Sequence, residues 1–240
     1  MNSTVETSNS NSTKKNFLRI NTQVFISLLL IIIGTTSFII IANKVSSGST
    51  KNFDNWALEL FRQTNNPVQS IGNDLVTSAV RDITALGSGT IIVLFTLAVI
   101  GFLLFQKKYT MVYLILGAAI GGGVLNFLLK EIFGRQRPDS VYHLTSATSL
   151  SFPSGHSMMS MVIYLSFAAL LIRIPYNKSI KIYIISIALF LSIIIGISRI
   201  YLGVHYATDV LAGWSIGLAW ASFCWLFAYY LEHRKNKKSS

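Results

Sequence analysis

Six apolar runs limit what this chain can become: residues 24–42, 90–105, 111–129, 157–174, 182–197 and 210–231. Crossing the hydrocarbon core of a bilayer as a helix takes about 20 mostly apolar residues, with a range near 17–25. The second and fifth runs fall at the short end, and their flanks can extend them. No stretch alternates apolar and polar in the manner of a membrane barrel strand, so a helical bundle is expected. The expected fold class is all-α, a polytopic membrane protein with a six-transmembrane-helix bundle over residues 21–231.

The composition agrees. Hydrophobic residues make up 52% of the chain and charged residues 12%, against about 25% charged in a typical soluble domain. The net charge of +11 could suggest nucleic acid. However, no basic stripe interleaved with aromatics occurs in a soluble segment, and several lysines stand in short caps beside apolar runs, as they do on the cytoplasmic side of membrane proteins. No nucleic-acid partner is expected. The single cysteine, Cys224, excludes an intrachain disulfide and a cysteine-based metal cluster.

Residues 1–20 open with Ser, Asn and Thr without an apolar period and are expected to be a disordered cytoplasmic tail. Lys14, Lys15 and Arg19 precede the first run. A signal peptide shares that order, but its apolar core is about 7–15 residues long, so an uncleaved spanning helix is preferred. Residues 44–88 mix partly helical apolar spacing with Asp54, Glu59, Arg62, Asp74, Arg81 and Asp82. An amphipathic segment on the outer membrane surface fits, and so does a surface loop with one helix. Residues 116–123 are dense in small side chains, which permit close helix approach or a kink. Residues 232–240 form a basic tail.

With the N-terminus inside, 12 of the 20 Lys and Arg residues fall in inner segments. This bias favours both termini in the cytoplasm, as expected of a multi-pass protein of the plasma membrane. It also puts three polar clusters on the same, outer, side. The first is Lys130-x6-Arg137-Pro138, the second Pro153-Ser154-Gly155-His156, and the third Ser198-Arg199-x5-His205-x3-Asp209. Charges at the ends of spanning helices are costly unless they meet one another or a charged ligand.

A phosphate ester would satisfy them. Its oxygens need cations and N–H donors, its phosphorus an in-line nucleophile, its leaving oxygen a proton. Lys130 and Arg137 supply charge, Arg137 through a two-pronged guanidinium. Ser154 and Gly155 open the fourth span, where a helix N-terminus attracts anions; Ser154 can cap that helix or donate to the phosphate. His156 can act as an acid. His205 and Asp209, four apart, share a helix face, so the carboxylate can fix the imidazole tautomer and leave the other nitrogen free to attack. Each cluster taken alone has a plainer reading: lipid-headgroup anchors (Lys130, Arg135, Arg137), an ordinary helix start, or a structural His–Asp pair.

Taken together and in this order, the clusters closely resemble the motifs of the type 2 phosphatidic acid phosphatase (PAP2) family over about residues 121–217. The resemblance implies a phosphatase that needs no metal or other cofactor. It implies His205 as the nucleophile that forms a phosphohistidine, Asp209 as its orienting acid, and His156 as proton donor and then base for water. Lys130, Arg137, Ser154, Gly155 and Arg199 would hold the phosphate. The implied substrate is a membrane lipid phosphate or diphosphate, such as phosphatidylglycerol phosphate, undecaprenyl diphosphate or phosphatidic acid. A lipid phosphotransferase would share the intermediate, and a non-catalytic lipid-binding or transport protein would use the cations alone. Nothing in the sequence sets the oligomeric state.

Overall fold

The structure, a computed structural model, describes residues 3–63 and 66–238. Each expected apolar run lies on a helix. Helix α1 (Ser3–Ser46) carries the first run, α4 (Gly89–Phe105) the second, and α7 (Gly155–Leu171), α8 (Lys178–Tyr201) and α9 (Ala207–Lys238) the last three. The third run is divided into α5 (Tyr109–Leu116), a π turn (Gly117–Gly121) and α6 (Gly122–Phe133). Four of these stretches are each long and apolar enough to span a bilayer: Thr22–Ser46, Tyr109–Phe133, Lys178–Tyr201 and Ala207–Arg234. Helices α4 and α7, at 17 residues each, are at the lower limit of length. Large apolar side chains point outward on the long helices, among them Phe25, Ile32, Phe95, Phe127 and Phe190, as a lipid-facing surface requires.

The backbone of α1 runs back to Ser3 without a break; no Pro or Gly interrupts residues 3–33, so a helix nucleated in the span can propagate at little cost. Met1 and Asn2 lie outside the described residues, as do Ser239 and Ser240 at the end of the basic tail. Two expectations change. The fold is not wholly helical. Between α2 (Lys51–Glu59) and α3 (Asp74–Ala85) stands a short antiparallel pair, β1 (Arg62–Gln63) and β2 (Asn66–Ser70). Pro67 lacks an N–H and prevents the helix from continuing there. Finally, the segment 44–88 is no detached surface feature: α3 packs on α8 and α2 on α9.

The small-residue stretch serves both of its open readings. It forms the π turn, and a Cβ on Gly121 would lie 2.4 Å from the Trp220 ring on α9. Between α7 and α9 it is the backbones themselves that meet. A Cβ on Gly213 would lie 2.8 Å from the Ser154 carbonyl oxygen, and one on Gly217 2.8 Å from that of Met158. These two glycines let α9 lie backbone-to-backbone on α7, which brings the start of α9 beside the start of α7.

Candidate active site

The helix ends that meet at this crossing carry the polar clusters. Lys130 ends α6, Ser154 and Gly155 begin α7, Arg199 ends α8, and His205 stands just before α9. A cavity of about 650 Å³ opens between them, and its wall includes Lys130, Arg137, Gly155, His156, Arg199 and His205. Six of the eight residues singled out from sequence therefore share one cavity. The other two stand behind it. Asp209 is fully buried. Ser154 caps α7, accepting from Ser157 N at 3.5 Å and Ser157 Oγ at 3.0 Å, so its side chain turns to the helix start.

The first turn of α7 leaves the Gly155 and His156 N–H groups without intrahelical acceptors, and both residues line the cavity. Arg199 is nearly buried; its Nη1 donates to Thr84 Oγ1 at 3.0 Å while its Nε has no partner. A buried guanidinium N–H left over in this way is a donor for an anion. Lys130 Nζ donates to the Leu150 carbonyl.

His205 sits between an acid and a cation. Asp209 Oδ2 lies 3.4 Å from His205 Nδ1 and also accepts from Ser151 Oγ at 2.5 Å and Tyr206 N at 2.9 Å. On the far side of the ring, Arg137 Nη1 lies 3.1 Å from His205 Nε2. The arrangement fits a neutral imidazole with its proton on Nδ1 and its lone pair on Nε2, facing the cavity. Arg137 is itself tied down, its Nε donating to Ser149 O and its Nη1 to Val204 O, both at 2.6 Å.

Burial lowers the His205 imidazole to about 3, with Arg137 and Arg199 adding to the effect and Asp209 opposing it. Neutral imidazole is the nucleophilic form. The same shift has a sign for stability. With the folded value below the unfolded one, the unfolded chain binds more protons between them, so the contribution of His205 is complete above about 6.5 and is lost as pH falls toward 3. The thermal unfolding midpoint of the detergent-solubilised protein should fall between about pH 7 and pH 4, and less steeply in His205→Asn. Equal slopes in the two proteins would remove His205 as the cause.

Sequence reasoning missed the layer behind this row. Asp54, on α2, is fully buried and accepts from Thr208 N at 3.0 Å, from Thr208 Oγ1 at 2.8 Å and from Arg135 Nη2 at 2.7 Å. Arg135 then reaches Asp209 Oδ1 at 2.6 Å and lies 4.3 Å over the Tyr206 ring. Two carboxylates outweigh the effect of burial on Arg135 and raise it above its ordinary value. Its plainer reading, a lipid-headgroup anchor, does not hold, because its charge is spent inside the protein. Arg62 likewise turns inward, donating to Tyr201 O at 2.9 Å and Tyr142 O at 3.0 Å. The remaining histidines stand apart: His143 pairs with the Pro138 carbonyl and His233 with that of Tyr229.

The chain is similar to known proteins in sequence and in fold. Residues 90–233 match the PAP2 superfamily. Over 96 residues the chain is 45% identical to phosphatidylglycerophosphatase B of Bacillus subtilis, covering 40% of this chain and 47% of that protein. Over 105 residues it is 30% identical to undecaprenyl-diphosphatase of Sulfolobus acidocaldarius, covering 42% and 46%. The matches thus span about half the length of these curated relatives. The fold is similar to the crystal structure of a transmembrane PAP2-type phosphatidylglycerolphosphate phosphatase from Bacillus subtilis, with TM-score 0.71 and 28% identity over 81% of this chain and 93% of that one. This multi-pass membrane chain belongs to the PAP2 superfamily.

Proposed function

We propose that the protein is an integral membrane lipid phosphate phosphatase. The observation that carries this reading is the row Asp209–His205–Arg137 at the wall of the cavity, with His205 Nε2 facing inward and a guanidinium N–H 3.1 Å from it. A purely structural His–Asp pair has no need of a cation at its free nitrogen. As a phosphate enters, Arg137 transfers its N–H from Nε2 to a phosphate oxygen and frees the lone pair. Lys130, the Arg199 Nε and the N–H groups of Gly155 and His156 take the other oxygens, and Ser154 keeps that helix end in place.

His205 Nε2 then attacks phosphorus in line. The phosphorus–oxygen bond to the lipid breaks, and a protonated His156 gives its proton to the departing oxygen. The dianionic phosphate supplies the negative charge that a protonated His156 needs among three cations. In the second step His156, now neutral, takes a proton from water. The hydroxide attacks phosphorus, the phosphorus–nitrogen bond breaks, and inorganic phosphate leaves with His205 neutral again. Asp209 holds the Nδ1 proton throughout.

The same reading includes six spans, with α4 and α7 counted beside the four longer ones. Both termini would be cytoplasmic and the cavity would lie at the outer face of the plasma membrane. It is supported by the charge bias and by the meeting of all three clusters at one end of the bundle. The substrate would be phosphatidylglycerol phosphate, undecaprenyl diphosphate or a related lipid. The test is release of inorganic phosphate by purified protein from a panel of such lipids. His156→Ala should slow both formation and breakdown of the phosphoenzyme. Transfer of the phosphate group to a second lipid without release of inorganic phosphate would instead indicate a phosphotransferase.

A further inference from the structure

The cavity does not end at the phosphate. From the cation cluster it continues between α4 and α6 past Ile92, Val93 and Leu97 to Ile100 and Leu116. On α4, Gly89 to Ile100 corresponds to about 16 Å of helix, roughly one leaflet of hydrocarbon. This is space for the body of a lipid whose phosphate lies at His205, and the inference below rests on the phosphatase reading.

Below the cation cluster two polar side chains interrupt the apolar wall: Asn126 on α6, whose amide nitrogen donates to Met158 Sδ at 3.5 Å, and, deeper, Thr96 on α4. Thr96 lines the cavity, is only 6% exposed, and its hydroxyl has no hydrogen-bond partner. A hydroxyl within a helix ordinarily bonds back to the carbonyl four residues earlier. Ser27, Ser166, Ser192 and Ser215 all do so here, with distances of 3.0, 2.7, 2.9 and 2.8 Å. Thr96 leaves the Ile92 carbonyl alone. A buried donor without a partner in a hydrocarbon-facing wall is costly unless a ligand supplies an acceptor.

The depth of Thr96 restricts that acceptor. It lies seven residues below Gly89, about 10 Å along the helix. At that level a polyprenyl chain offers only hydrocarbon, whereas a diacylglycerol-based lipid with a spacer between it and the terminal phosphate offers ester carbonyls. We propose that Thr96 is a specificity-determining residue, donating a hydrogen bond to an ester carbonyl of a glycerolipid substrate and thereby favouring it over polyprenyl diphosphates.

The experiment compares kcat/KM for ester-linked phosphatidylglycerol phosphate with its dialkyl ether analogue, which keeps the headgroup and lacks the carbonyls, in the same detergent micelles. The native protein should prefer the ester by about 5- to 10-fold, the effect of one buried hydrogen bond. Thr96→Val, of nearly equal shape, should bring the ester-to-ether ratio close to one. Thr96→Ser, which keeps the hydroxyl, should restore it. Equal rates of the native protein on ester and ether would overturn the assignment, and so would a Thr96→Val protein that keeps the ester preference. Failure of the native protein to release phosphate from any lipid in the panel would instead bring down the phosphatase reading, and this inference with it.

Discussion

His205→Ala should lower phosphate release by about 10⁴-fold or more, the scale seen when a nucleophile is removed from an otherwise intact site. It should also abolish the acid-labile phosphoprotein that forms when native protein is mixed with radiolabelled lipid phosphate. Both effects follow from the position of the ring, with Nε2 turned to the cavity and Nδ1 toward Asp209. Alanine leaves Lys130, Arg137 and Arg199 in place, so a phosphate should still bind. Retained binding with lost turnover separates this outcome from misfolding. A variant that kept native turnover would refute the phosphohistidine route, and unchanged activity in cells would favour a lipid-binding or transport role.

The second large effect is expected 151 positions upstream, at Asp54. Its carboxylate takes two N–H or O–H bonds from Thr208 and one from Arg135, and Arg135 takes hold of Asp209 with its other nitrogen. Asp54→Asn is nearly isosteric, but it removes a negative charge beside a half-buried guanidinium and points an NH₂ at donors. Breaking one partner of a buried ion pair costs about 3–5 kcal/mol; the partial exposure of Arg135 puts the expected loss at the low end. Loosening a group that orients a reacting residue costs about 10- to 100-fold in activity by analogy with supporting shells at metal sites. The decrease should appear in kcat more than in KM, because Asp54 does not line the cavity. A lowered unfolding midpoint with native kcat would leave Asp54 a structural residue and nothing more.

Asp54 also shows where reading the sequence stops. Lys130, Arg137, His156, Arg199, His205 and Asp209 were legible because each stands in a short, fixed pattern at the end of an apolar run, and a charge there requires an explanation. Asp54 stands in an amphipathic stretch with Glu59, Asp74 and Asp82, where an acid on the wet side of a helix looks the same as one buried against a partner far along the chain. Arg135 was visible but ambiguous, since an arginine at a membrane edge can serve lipid headgroups equally well. Ser154 was read with two uses open, and the cap is the one observed. Helix ends were underread for a related reason. The run 182–197 becomes Lys178–Tyr201 and 210–231 becomes Ala207–Lys238, because hydropathy falls at Lys and Arg while the helix continues beneath their long side chains.

The π turn at Gly117–Gly121 fixes more than a local detail. Such a turn amounts to one surplus residue in an α-helix, and one residue corresponds to about 100° of rotation around the axis. Lys130 lies nine residues beyond it on the same rod. The phase of the half of that helix nearer the cavity, and therefore whether the Lys130 ammonium faces the cavity or away from it, is set halfway along the helix, far from the cation cluster.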